Sequence, residues 1–139
     1  ASASADDLPG AGLSILVMDD EDAIRDLTVR MLERLGHRCT AVPNGEAAIE
    51  AVSAARARGQ RFEVTILDLT VVGGMGGLEA LAELRRLDPD LLAVVSSGYS
   101  NDPVMSDHLA HGFQATLRKP YDGQALDHVL KDLIADGTS

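Results

Sequence analysis

The run "SILVM" leads straight into four consecutive acids, Asp19 to Asp22, and a helical pattern begins only after them. Like charges this close repel one another, and a carboxylate taken out of water without a partner is costly. A cation is therefore expected beside them. A further acid, Asp68, ends the apolar run "VTIL" and stands before a loop rich in glycine, a poor place for a merely solvating charge. Ser96 and Ser97 close the run "LLAVV", and Lys119 follows "ATLR". Three carboxylates, two hydroxyls and an ammonium thus stand where apolar runs end. Grouped carboxylates would hold at least one pKa up unless a divalent cation relieved the repulsion, and hard oxygen donors suit Mg²⁺. Each residue also has a plainer role: acids at a helix start complement its dipole, a serine after a strand is a turn residue, and a lysine before proline is usually solvated. The joint pattern is more specific than any of its members.

Something must bring these residues together. Five short apolar runs, "SILVM", "RCTAV", "VTIL", "LLAVVS" and "ATLR", alternate with longer segments of helical period. Ile24, Leu27, Thr28, Met31 and Leu35 share one helical face, as do Leu78, Leu81, Leu84 and Leu87, and again Leu126, Val129, Leu130 and Leu133. Asn44, Asp102 before Pro103, and Asp122 stand where helices should start, and Gly36 and Gly112 where they should end. Strands apolar on both faces and joined by helices belong in a parallel sheet covered on two sides, a three-layer α/β sandwich with five strands and five helices. Ligand sites in such sheets lie beyond the carboxyl ends of the strands.

The 139 residues, 45% of them hydrophobic, suit one compact domain. Residues 1 to 12, built of Ala, Ser, Gly, Pro, Leu and Asp, have the composition of a linker or an expression remnant, which leaves 13 to 136 as the folded domain. No apolar run is long enough to cross a bilayer and the first residues lack a secretory pattern, so membrane insertion is not expected and a cytoplasmic setting is. Cys39 is the one cysteine, which excludes an internal disulfide, and it reads as a small strand residue of the core. The net charge is -10 and no Lys/Arg cluster is large enough to track a phosphate backbone, so direct nucleic-acid binding is not expected. Arg56, Arg58 and Arg61 read as the solvated end of a helix.

The pieces "ILVMDDE", "LDLTVVGGMGG", "VVSSGYS" and "LRKPY", in this order and spacing, resemble the receiver domain of two-component response regulators over residues 14 to about 134. The resemblance implies a flavodoxin-like strand order of 2-1-3-4-5. It also implies that Asp68 takes a phosphoryl group from a phosphohistidine of a histidine kinase or histidine phosphotransfer protein. Asp19 and Asp20 would be the acidic pair of a Mg²⁺ site that includes Asp68 and the backbone carbonyl of Thr70. Ser97 would be the switch hydroxyl and Lys119 the phosphate-binding lysine; Ser97 rather than Ser96, because it precedes Gly98 and stands 22 residues before Lys119. The Lys119-Pro120 bond would be cis. Receivers at the C-terminus of hybrid histidine kinases are similar in loop sequence and linker-like start, and a homodimer through the fourth and fifth elements is compatible with the family.

Two positions depart from that pattern. Val72 stands where the family usually has proline, in a longer loop whose Gly73, Gly74, Gly76 and Gly77 allow either mobility or a tight turn. Thr116 stands where the family usually has the switch aromatic, so a ring cannot follow the hydroxyl inward. Tyr99 stands at a position that in the family influences attack of water on the phosphoaspartate, and its ring either shields the phosphoryl group or points to solvent. His108 and His111, three apart on the expected fourth helix, lack a third metal ligand and read as surface residues, and neither His37 nor His128 suggests a phosphohistidine.

The leading expectation is thus a signalling receiver whose chemistry is limited to its own phosphorylation and dephosphorylation. An aspartyl-phosphate phosphatase of the haloacid dehalogenase type would want an acid at Thr70. A phosphorylation-independent binding module would have no use for the set Asp20, Asp68, Ser97 and Lys119.

Overall fold

The computed structural model describes residues 12–98 and 102–137, so Tyr99 and nearly all of the linker-like start lie outside the described residues. In chain order the elements are β1 (Ser14–Met18), α1 (Asp22–Arg34), β2 (Arg38–Val42), α2 (Gly45–Ala57), β3 (Val64–Asp68), α3 (Gly77–Leu87), β4 (Leu92–Ser97), α4 (Pro103–Ser106), β5 (Ala115–Arg118) and α5 (Gly123–Gly137). All four strand pairings are parallel, and the sheet runs β2-β1-β3-β4-β5. This is the expected three-layer arrangement.

Alternation along the strands divides the core in two, because successive strand side chains point to opposite faces. On one face Leu16, Met18 and Leu67 pack with Val52 of α2 and Leu84 of α3. Ile15, Val17 and Ile66 meet Leu32 of α1 and Leu126, Leu130 and Leu133 of α5 on the other. Both faces of β1 and β3 are therefore covered, which accounts for their continuous apolar runs.

Local signals end the elements as expected. The Asn44 side chain accepts a hydrogen bond from Ala47 N at 2.9 Å, and those of Asp102 and Asp122 accept from Val104 N and Ala125 N at the same distance. Gly36 follows α1 at φ 98°, in the left-handed region that glycine enters at little cost.

Five expectations are corrected. β2 is the edge strand and is largely exposed apart from Val42, so it lacks the double burial of its neighbours and Cys39 is only half-buried. On α1 the face against the sheet centres on Thr28 and Leu32, which turns Leu27 outward to 53% exposure. On α3 the buried stripe is Gly77, Ala80, Leu81 and Leu84, and Leu78 lies outside it. The fourth helix is four residues long, so His108 and His111 stand in the hydrogen-bonded turns that follow it rather than on a helix. Arg56 and Arg61 are more than a solvated helix end: Arg61 donates twice to buried Asp88, at 3.0 and 3.3 Å, and Arg56 lies 3.9 Å from the same carboxylate.

Candidate functional site

Parallel strands place their carboxyl ends along one edge, and the singled-out residues stand there. Asp19 and Asp20 follow β1, Asp68 is the last residue of β3, Ser97 the last of β4, and Lys119 comes directly after β5. Asp19, Asp68 and Ser97 are buried, and Asp20 is partly so. Asp20, Asp68, Thr70, Val72, Ser97 and Lys119 line one cleft of about 450 Å³. Ser97 lines this cleft, and Ser96, equally buried, does not.

The cation expected beside the acids is, in part, a residue of the chain itself. The Lys119 ammonium lies 2.8 Å from Oδ2 of Asp19 and 3.3 Å from Oδ1 of Asp68. Its backbone N–H donates to Ser97 O at 2.9 Å, and the Lys119-Pro120 bond is cis, as the resemblance implied. Backbone amides take other carboxylate oxygens: Glu21 N donates to Asp19 at 2.9 Å and Val72 N to Asp20 at 3.1 Å. Buried Oδ2 of Asp19 makes no aligned hydrogen bond within the described residues and meets the ammonium only as a close ion pair. Arg25 fixes the turn from β1 into α1, donating to Asp19 O at 2.8 Å and pairing with Asp22. That role for Arg25 was not anticipated, although its i, i+3 spacing from Asp22 was visible.

Asp19, Asp20 and Asp68 each offer a carboxylate oxygen within 4.8 Å of the others. Among the described residues one ammonium stands among the three acids, and a divalent ion has the charge and oxygen preference to complete the balance. The donor set fits a hard divalent cation.

The family model of the response regulator receiver domain matches residues 15–131. The chain belongs to that family. It is similar to sensor kinase CckA of Brucella abortus, 29% identical over 130 residues that make up 94% of this chain and 13% of that protein. The response regulator receiver protein CpdR of Brucella abortus is 29% identical over 122 residues, 87% of this chain and 97% of that one. Among solved structures, NtrX of Brucella abortus superposes with a TM-score of 0.80 at 26% identity, over 91% of this chain and 28% of that chain. The receiver domain of sensor histidine kinase PA1611 from Pseudomonas aeruginosa, with a magnesium ion coordinated in its active site cleft, superposes with a TM-score of 0.75 at 25% identity, over 90% and 99%. This chain spans 13%, 52% and 28% of the length of the first three curated relatives. It is a receiver domain of two-component signalling.

Within this receiver, burial and then the neighbouring Asp19 carboxylate push the Asp68 carboxyl up from 3.8 to about 6, against the pull of Lys119. Burial works to lower the Lys119 ammonium, but its contacts with Asp19 and Asp68 outweigh that and hold it above the ordinary lysine value. Each group is thus set by the other.

The glycine-rich loop is accounted for by packing. A side chain on Gly77 would stand 2.8 Å from Asp68 O, and one on Gly76 2.8 Å from Leu69 O, so both let α3 approach the end of β3. Gly73 turns the chain at φ 77°. Met75 ties the loop to α2, donating from N to Glu46 at 3.1 Å and accepting from Gly45 N at 2.8 Å. The turn reading of these glycines thus has a structural basis. Thr116 lies in β5, half-buried, and carries no ring.

Sequence reasoning missed Tyr121. Its hydroxyl lies 2.8 Å from that of Thr28 on α1, and burial raises its pKa, so the phenol is neutral at ordinary pH.

Proposed function

We propose that Asp68 is the phosphoacceptor of this receiver, with Asp19, Asp20, Asp68 and the carbonyl of Thr70 as the Mg²⁺ site, Lys119 as the phosphate-binding cation and Ser97 as the switch hydroxyl. The observation that carries the reading is the bridging of Asp19 and Asp68 by one ammonium beside three clustered carboxylates. A carboxylate oxygen of Asp68 attacks phosphorus as the bond from phosphorus to the donor imidazole breaks, and the electron pair returns to the ring nitrogen, which takes up a proton. Bound Mg²⁺ supplies positive charge against the transferring oxygens. Lys119 neutralises a further oxygen, and Ser97, on the cleft wall, hydrogen-bonds the acquired phosphoryl group.

The donor is the phosphohistidine of a histidine kinase or of a histidine phosphotransfer protein. An apolar groove beside the cleft, lined by Ile24, Leu27, Met31, Pro120 and Tyr121, suits contact with an apolar helix face of that donor. The protein works in the cytoplasm, and its catalysis ends with its own phosphorylation and dephosphorylation. A test is borohydride reduction of the phosphorylated protein followed by peptide mapping. Reduction at position 68 alone is expected; a modified residue elsewhere would refute the assignment.

A further inference from the structure

The lysine that completes the site has a long way to reach. β5 is an edge strand, separated from β1 by β4 and β3, which is about 14 Å at three strand spacings of about 4.8 Å. The lysine side chain, its 2.8 Å contact and the Asp19 side chain share that distance, so the curl of the segment after β5 decides how far the ammonium reaches. Pro120, next in the chain, has no N–H with which to anchor the curl. Tyr121 anchors it instead: its hydroxyl and that of Thr28 lie 2.8 Å apart, across 93 positions of sequence. Thr28 is 1% exposed on the sheet-facing side of α1, the helix entered directly from Asp19 and Asp20. A buried hydroxyl at that position needs a partner, and the phenol supplies one. The bond therefore links the arm of the site that carries the acid pair to the arm that carries the ammonium.

We infer that Tyr121 and Thr28 form a positioning pair whose hydroxyl-to-hydroxyl bond sets where the Lys119 ammonium sits between Asp19 and Asp68, and so sets the rate at which Asp68 is phosphorylated. Neither residue touches the reacting atoms. Both border the apolar groove beside the cleft, so a protein seated there lies against the same bond that holds the lysine. The rate effect rests on the assignment of Asp68 as phosphoacceptor; the placement of the ammonium does not.

Two readouts separate the claims. The first is the phosphorylation rate with acetyl phosphate at saturating Mg²⁺, followed by intact mass at a temperature where every variant is folded. Tyr121→Phe and Thr28→Val should each slow it about three- to tenfold, the scale of one hydrogen bond. The double variant should be no slower than either single one, because both remove the same bond. Thr28→Ser, which keeps the hydroxyl, should restore the rate. The second readout is the side-chain ¹⁵N resonance of Lys119, which should shift in the Phe and Val variants and return in the Ser variant. Unchanged rates and an unmoved lysine resonance, with only a lower melting temperature, would reduce the pair to a packing contact and overturn the inference. If the wild-type protein takes up no phosphoryl group, the phosphoacceptor assignment fails, and the lysine resonance alone decides whether the pair positions the ammonium.

Discussion

The Lys119 ammonium stands 2.8 Å from Asp19, closer than the 3.3 Å that separates it from Asp68. The lysine thus serves the resting site as a counter-ion of its acids. It is half withdrawn from water, and its two partners are buried. Replacing it by Lys119→Met leaves two buried carboxylates without their cation, which costs about 3 to 5 kcal/mol when a buried pair is broken. In chelator the melting temperature should fall markedly, and Mg²⁺ should recover much of the loss while phosphorylation stays slow. Denaturation with and without Mg²⁺ checks this.

The raised Asp68 carboxyl makes metal-free stability depend on pH. A carboxyl whose pKa is higher in the fold than in the unfolded chain binds its proton more tightly when folded. Its contribution is therefore fully present below about 4, is lost as pH rises from 3.8 towards about 6, and is gone above that, a total swing of at most about 3 kcal/mol. Mg²⁺ relieves a charge that exists only above this window. Scanning calorimetry should show a larger Mg²⁺-induced rise in melting temperature at pH 7.5 than at pH 4.5. In chelator at pH 7.5, Asp68→Asn should melt higher than the wild type.

Asp88 gives a control far from the chemistry. It is 4% exposed and holds Arg61 by two hydrogen bonds, so Asp88→Ala should cost about 1 to 3 kcal/mol in denaturant melts. Phosphorylation under folding conditions should be unaltered within a factor of about two.

Gly77 tests whether α3 must lie against the end of β3. Gly77→Ala puts a methyl group 2.8 Å from Asp68 O and 3.2 Å from the Leu67 side chain, where backbone has to move. It should destabilise the fold by about 1 to 3 kcal/mol and slow phosphorylation by displacing the Asp68 backbone. Gly98→Ala, which meets nothing within 4 Å, should change stability far less. Urea melts of the two variants compare them.

Much of the fold was legible because strand burial and helix caps write themselves locally. β1 and β3 read as continuous apolar runs, and Asn44, Asp102 and Asp122 read as caps, since each signal spans only a few residues. Leu27 and Leu78 were misplaced because each apolar helix stripe is wider than the face the sheet covers. Which edge of it turns outward depends on how the helix sits, a tertiary property. The early end of α4 was missed for a related reason: the turns from Asp107 to Gly112 carry hydrogen bonds that a periodicity cannot distinguish from a helix. At the site, residue types and order pointed to Asp19, Asp20, Asp68, Ser97 and Lys119. The Thr28 to Tyr121 bond and the Arg61 to Asp88 pair join residues distant in sequence, and nothing local announced them.

The most direct test of the central claim is intact mass after incubation with Mg²⁺ and acetyl phosphate, for the wild type, for Asp68→Asn and for wild type in EDTA. A single phosphoryl adduct on the wild type, absent from both controls, is the result expected. An adduct that persists in Asp68→Asn, or that forms equally well in EDTA, would contradict the assignment of Asp68 and its metal site.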